Sequence, residues 1–348
     1  MPILPIILMI VFFPLNSFLF LQKEFVGGKP VQAKTVEIEK SLSAGIVEGV
    51  ETQKKPEILK AQAVDDPQYQ PVRKAGVKDL TVSNAHASVV IDADTGTILH
   101  YSNGKDHRQI ASLTKLMTAT LAMERISNLN EAVTIDQEPV YADGTKIGCM
   151  TSGNCTTQRL EIGEKISANS LLHAMLMNSA NDSAIALGKY MAGTQSAFAD
   201  IMNAKASALG LTDTHFCTPS GLDLDDETAA VGCYSSAYDI ARIAAYSLRY
   251  KTIWEIARTP SDLIVTSIDG KLKHTIINTD KYLTQKDSTL NLIGTKTGYT
   301  PMAGYSLLAI VNDPATKHRI IAVVLDDPQR WQDIKTMVNW TFNSYSWQ

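Results

Sequence analysis

Segments with strand character stand at both ends of the patterned part of this chain, and segments with helical periodicity fill the middle. That order restricts the fold more than any other feature. Ala87–Asp92 and Thr97–Tyr101 are short runs rich in β-branched residues, and Ala93-Asp94-Thr95-Gly96 joins them as a hairpin. Strand-like runs return at Leu263–Ile268, Asn291–Thr297, Gly304–Val311 and Arg319–Leu325, with Asp313-Pro314 turning between the last two. Between these groups, Leu113, Leu116, Met117, Thr120, Leu121 and Ile126 repeat at helical spacing. Further helices are expected over 170–177, 182–191, through Phe198 and Met202 to a stop at Leu209-Gly210, over 236–250, and over 329–342 at the end. The stretch 131–164 reads as loops and a hairpin. The expectation is an α+β fold: one antiparallel sheet assembled from both ends, flanked by helices, with a mostly helical subdomain inserted at about 135–255.

The rest of the chain limits the context. From Pro2 to Leu21 nearly every residue is apolar, long enough to be exported or to span a bilayer, although no lysine precedes Lys23. Residues 1–22 are therefore expected to be a signal peptide or a membrane anchor, and both remain open. Residues 23–84 mix charges with Pro56, Pro67 and Pro71 and read as a linker or stalk, with a short amphipathic helix at most around Ile58–Val64. The folded unit is then expected over 85–348. A net charge of −4 and the lack of a long basic run give no nucleic-acid footprint. Cys149, Cys155, Cys217 and Cys233 form an even set that can oxidise after export. Three pairings are open, as are free buried thiols; neighbour pairing, Cys149–Cys155 and Cys217–Cys233, would close two local loops. There is no Cys-x-x-Cys and no histidine pair at helical spacing, so no metal and no cofactor are expected.

Chemistry enters at three short segments. Ser112 and Lys115 are three residues apart at the start of a helical run, on one face, where a neutral amine can reach the hydroxyl and act as its base. Ser102 and Lys105 share that spacing but lie in a glycine turn. Ser179-Ala180-Asn181 falls in the break between two helices, where a hydroxyl and an amide can point into a cleft. Lys296-Thr297-Gly298 ends a strand with a cation, a hydroxyl and a residue that permits close backbone approach, a set suited to an anionic, peptide-like ligand. Singly, each has an ordinary structural explanation as a cap or an edge-strand lysine.

In the order Ser-x-x-Lys, Ser-x-Asn, Lys-Thr-Gly, the chain resembles the penicillin-binding proteins and serine β-lactamases, and among them the serine D-alanyl-D-alanine carboxypeptidases. The resemblance runs from about Ala87 to Phe342 and includes Pro219-Ser220-Gly221-Leu222-Asp223 and Tyr234-Ser235-Ser236-Ala237. It implies a β-lactamase/transpeptidase-like fold and removal of the terminal D-Ala from peptidoglycan stem pentapeptides outside the cytoplasm, with β-lactam antibiotics as inhibitors. Ser112 would be the nucleophile, Lys115 its base and Ser179 a proton relay. Asn181, Lys296, Thr297, Gly298 and Tyr299 would bind substrate, with the N–H groups of Ser112 and Tyr299 as an oxyanion hole, where one donor is typically worth about 3–4 kcal/mol. Lys115 would need a pKa lowered by burial and by Lys296. Ser167-Ala168-Asn169 also fits Ser-x-Asn but precedes a helix, where a cap is expected. Cys233 stands where relatives often carry histidine, which supports its bridge to Cys217. Membrane attachment would come from the N-terminus. An endopeptidase acting on cross-linked stems would use the same residues. Class A β-lactamases use a Glu-x-x-x-Asn segment between the second and third motifs, whereas the only such spacing here, Glu124 to Asn128, comes before Ser179. A non-catalytic penicillin or cell-wall binder is the remaining alternative.

Overall fold

The structure is a computed structural model that describes residues 69–149, 155, 158–223, 232–260, 262–284 and 289–348. The apolar N-terminal segment and most of the linker lie outside these residues. No helix among the described residues is long and apolar enough to cross a membrane.

Five antiparallel strands form the central sheet. With β1 at Pro71–Arg73, they are β2 (Ala87–Asp92), β3 (Ile98–Ser102), β8 (Asn291–Thr300), β9 (Gly304–Asn312) and β10 (Arg319–Leu325), in the order β3-β2-β10-β9-β8. The first and last thirds of the chain thus meet where β2 pairs with β10, from Ala87 against Leu325 to Asp92 against Ile320. Strand side chains alternate between faces, and both faces here are apolar. Val89, Ile91, Leu308, Ile310, Ile321, Val323 and Leu325 join the core on the helical side. Val90, Leu307, Ala309, Val311, Ile320, Ala322 and Val324 pack on the opposite side with Ile334, Met337 and Val338 of the closing helix, α9 (Arg330–Ser344).

The helical side is organised on α1 (Lys115–Arg125), whose residues Lys115 to Ala122 are all buried. Its polar members are satisfied locally: Thr120 Oγ1 donates to the Leu116 carbonyl at 2.8 Å and Thr118 Oγ1 to the Pro219 carbonyl at 2.7 Å. Around it stand α3 (Ala168–Met177), α4 (Asn181–Ala192), α5 (Gln195–Ala208), α6 (Ala237–Ser247) and α7 (Lys251–Ala257). In place of a hairpin within 131–164, β4 (Ala132–Thr134) pairs with β5 (Lys165–Ser167) just beyond that stretch, with the short helix α2 (Gln137–Tyr141) between them.

Several elements depart from expectation. The stretch 69–84 is not linker: β1 pairs with β11 (Tyr345–Trp347), and Val82 is buried against the α9 side of the sheet. Three-residue strands carry too little alternation to be seen in a sequence, so the linker's expected end at 84 is corrected to a point before Tyr69. β6 (Leu263–Thr266) pairs with an unexpected β7 (Lys273–Ile276) in a separate hairpin. A short helix, α8 (Lys281–Thr284), precedes β8.

Candidate active site

Ser112 lies in a 3₁₀ turn, Ala111–Thr114, that leads directly into α1. Its backbone is therefore in the first turn of a helical run, where N–H groups lie ahead of any intrahelical acceptor. Ala111 just before it has φ 47°, a left-handed conformation that a non-glycine residue holds only when its surroundings impose it. Lys115 is fully buried, not solvated. Its Nζ lies 2.7 Å from Ser112 Oγ, 2.7 Å from Asn181 Oδ1 and 2.6 Å from the Ser220 carbonyl oxygen. Burial, and then the charge of Lys296, push its pKa well below 10.5. Asp182 pulls the other way, but burial has raised that carboxyl itself to about 6 despite hydrogen bonds from Ser183 and Ile147.

These contacts can accommodate a neutral amine on Lys115. The Asn181 and Ser220 oxygens can only accept, so they take two N–H bonds from Nζ. A neutral amine then has one lone pair left, and the third contact is a hydroxyl able to donate to it.

A second serine–lysine pair faces the first. Ser179 stands between α3 and α4 with φ 58°, and its Oγ accepts from Lys296 Nζ at 2.9 Å. Lys296 also donates to the Thr297 carbonyl at 3.1 Å, and burial, then Arg330, lower its pKa to about 7. Asn181 is buried behind these groups: Oδ1 meets Lys115, and Nδ2 donates to the Asp143 carbonyl at 2.8 Å.

β8 is the outer strand of the sheet, and Tyr305 opposite Tyr299 turns its carbonyl to the Asp327 N–H at 2.6 Å, away from β8. The Tyr299–Tyr305 pair is therefore of the non-hydrogen-bonded type, which directs the Tyr299 N–H to the open side. Gly298 is required there, since a Cβ would come 2.8 Å from the Ile110 carbonyl oxygen.

Between the two pairs is a cavity of about 280 Å³, lined by Ser112, Ser179, Thr297, Gly298, Tyr299 and, beyond them, Thr145, Thr279, Lys281, Tyr305, Arg330 and Trp331. Among the described residues its wall has cationic side chains and no acidic one. The motifs do not reveal Arg330, whose Nη1 donates to the carbonyls of Gly298 at 2.7 Å and Ser306 at 3.1 Å. The available signal is its position: an arginine in the first helical turn opposes the helix dipole, so another demand must hold it there.

The family model for D-alanyl-D-alanine carboxypeptidase matches residues 74–329. The chain belongs to this family. It is 30% identical over 268 residues to the carboxypeptidase DacF of Bacillus subtilis, a match covering 75% of this chain and 63% of the relative. A D-alanyl-D-alanine endopeptidase of Pseudomonas aeruginosa is also 30% identical, over 74% of this chain and 76% of its own length. Among solved structures, penicillin binding protein 5 of Haemophilus influenzae superposes with a TM-score of 0.64 at 29% identity, covering 77% of this chain and 73% of that one. Penicillin-Binding Protein D2 of Listeria monocytogenes, in an ampicillin-bound form, gives 0.62 at 27%, covering 76% and 100%. The penicillin-binding fold expected from the motifs is the one observed.

As a member of this carboxypeptidase family, the chain places the other candidates away from the cleft. Ser167 caps α3 by accepting from the Ser170 N–H. Glu124 is held by Lys205 at 2.6 Å and Tyr246 at 2.8 Å. Cys149–Cys155 and Cys217–Cys233 are both bonded. Among the described residues no group of acidic, histidine and cysteine side chains could hold a metal ion.

Proposed function

We propose that this protein is a serine D,D-carboxypeptidase that removes the terminal D-Ala from peptidoglycan stem peptides. The observation that carries this is the fully buried Lys115, whose Nζ lies 2.7 Å from Ser112 Oγ and within hydrogen-bond distance of the Asn181 Oδ1 and Ser220 carbonyl oxygens. Ser112 Oγ attacks the penultimate carbonyl carbon and its proton passes to Nζ. The oxyanion that forms is met by the N–H groups of Ser112 and Tyr299. The C–N bond then breaks as the proton taken by Lys115 is relayed through Ser179 to the departing D-Ala amine. Water deprotonated by the freed Lys115 resolves the acyl-enzyme, and Lys115 returns that proton to Ser112 Oγ.

Lys296, Thr297 and Arg330 suit the terminal carboxylate, the feature that separates an exopeptidase's substrate from an internal peptide bond. Asn181 holds the base, and its second amide N–H remains for a substrate carbonyl. Two formed disulfides support action outside the cytoplasm, where peptidoglycan stems are found. The segment 1–22 would deliver the chain there and, if retained, hold it at the membrane; residues from Tyr69 onward form the catalytic domain. β-Lactams, which present a strained amide and a carboxylate, would acylate Ser112.

The endopeptidase relative favours one second reading, cleavage of cross-linked stems by the same residues. Release of D-alanine from a pentapeptide, measured beside cleavage of a cross-linked dimer, separates them. Turnover of the dimer alone would replace the carboxypeptidase reading, and turnover of neither would overturn both.

A further inference from the structure

The neutral base depends on one loop that the catalytic motifs do not include. Thr118 Oγ1 donates to the Pro219 carbonyl at 2.7 Å and Lys115 Nζ to the Ser220 carbonyl at 2.6 Å, and both side chains are fully buried. The loop is pressed against the 3₁₀ turn of Ser112: Gly221 has φ 75°, and a Cβ there would overlap the Ala111 carbonyl oxygen. A displacement of this loop therefore moves an acceptor of Lys115 and opens the amine to water.

The Cys217–Cys233 bond, three residues before Ser220, ties the loop covalently, alongside hydrogen bonds between Asn203 and Phe216 and from Thr300 to Asp223. Beside it, His215 and Tyr234 exchange backbone hydrogen bonds of 2.8 and 3.0 Å. One residue on, Ser235 exchanges two more, each 2.9 Å, with Arg108, shortly before Ser112 in the chain. The disulfide thus ties the acceptor loop to a segment that is itself registered on the approach to the nucleophile. Cys217 and Cys233 are half-buried, and they line a small cavity with Ile110, Ala111 and Thr114, directly behind Ser112.

We propose that the Cys217–Cys233 disulfide is a positioning bond for Lys115, and that its reduction slows acylation of Ser112. This rests on the assignment of Ser112 as nucleophile and Lys115 as base. A dithiol opens the bond by thiol–disulfide exchange, leaving two thiols on the protein and the reductant as its own disulfide. The loop then loses its covalent tie while the core helices stay packed. A bond that served stability alone would lower the melting temperature and leave the ionisation of Lys115 where it was.

The test measures acylation by a labelled penicillin across pH, with the adduct mapped by mass spectrometry, on the oxidised chain and on the Cys217→Ser/Cys233→Ser double variant. The double variant is expected to acylate roughly tenfold to a hundredfold more slowly near neutral pH. The acid limb of its profile moves toward the ordinary lysine range as water reaches Nζ. Thr118→Val loosens the same loop without touching the disulfide, and it is expected to move the limb in the same direction by less. A double variant with the wild-type rate, or with a slower rate and an unmoved limb, overturns the proposal. If that variant does not fold, an unmoved limb in Thr118→Val overturns it and a moved limb supports it. Absence of any adduct on Ser112 in the oxidised wild-type chain would instead remove the underlying assignment, and the proposal with it.

Discussion

Two serine–lysine pairs face one cavity, and their surroundings make opposite demands on the amine. Lys115 meets three protein oxygens, two of them pure acceptors and the third a hydroxyl. That count fits a neutral amine with two N–H groups and a lone pair. Lys296, among the described residues, meets two oxygens, from Ser179 and Thr297. A protonated Lys296 keeps a third N–H for a ligand, and an anion arriving beside Arg330 would stabilise that charge. The lesson is that depth of burial does not by itself assign a role. Both lysines are buried, but Lys115 meets Ser112, an amide oxygen and a loop carbonyl, whereas Lys296 meets Ser179 and its neighbour's carbonyl, and the proposed division into base and anion holder rests on that difference.

The comparison breaks most visibly at Lys115. Lys115→Ala is expected to slow acylation of Ser112 by about 10²–10⁴-fold, measured with labelled penicillin, and Ser112→Ala to abolish it. Equal, modest losses for the two lysines would mean that the pairs do not differ in role.

His274 tests whether hydrogen-bond demand can outweigh burial elsewhere in the molecule. Its ring is fully buried, with Nδ1 2.6 Å from the Gln158 carbonyl and Nε2 2.7 Å from Glu164 Oε1. Burial alone would lower its pKa, but the bonds to Glu164 and Gln158 raise it above 6.5, the opposite direction to the shift of Lys115. His274→Ala should remove about 3–5 kcal/mol of stability. Because the folded pKa is the higher one, that contribution is complete below about pH 6.5 and is lost as pH rises through the folded value. Denaturant titrations at several pH values should show the gap between wild type and variant narrowing as pH rises; a constant gap would contradict a raised folded pKa.

Lys296→Ala is expected to cost about 2–5 kcal/mol of transition-state binding, or roughly thirtyfold to several-thousandfold in kcat/KM. In wild type, kcat/KM should decline above about pH 7 as Lys296 loses its proton, and Lys296→Arg should move that decline upward. A decline at the same pH in Lys296→Arg would assign it to another group.

The smallest effect is expected at Gly221, where Ala must occupy φ 75° against the Ala111 carbonyl. Gly221→Ala should lower stability by about 1–3 kcal/mol and slow acylation more than it weakens substrate binding. An unchanged acylation rate would separate the loop from the base.

Much of this was legible in the sequence. Ser112, Lys115, Ser179, Asn181 and Lys296 belong to fixed short spacings, and the near-continuous apolar runs of β2, β9 and β10 mark strands buried on both faces. The loop carbonyls were not legible, because the Asp143, Pro219 and Ser220 oxygens belong to backbone that any residue supplies. Arg330 follows Lys296 by a strand, a turn and another strand, so nothing local links them. β1, β7 and β11 are three or four residues long, below the length at which alternation can be distinguished from loop. Asn181 was legible as a site residue, but its service to the base came from the fold, which turns its amide toward Lys115 and Asp143.

The claim that Lys115 is the neutral base is tested most directly by the rate of Ser112 acylation at saturating penicillin as a function of pH. The account expects the rate to reach its plateau well below pH 10.5, with the label on Ser112. A rate that keeps climbing through the ordinary lysine range, or a label on another residue, would contradict it.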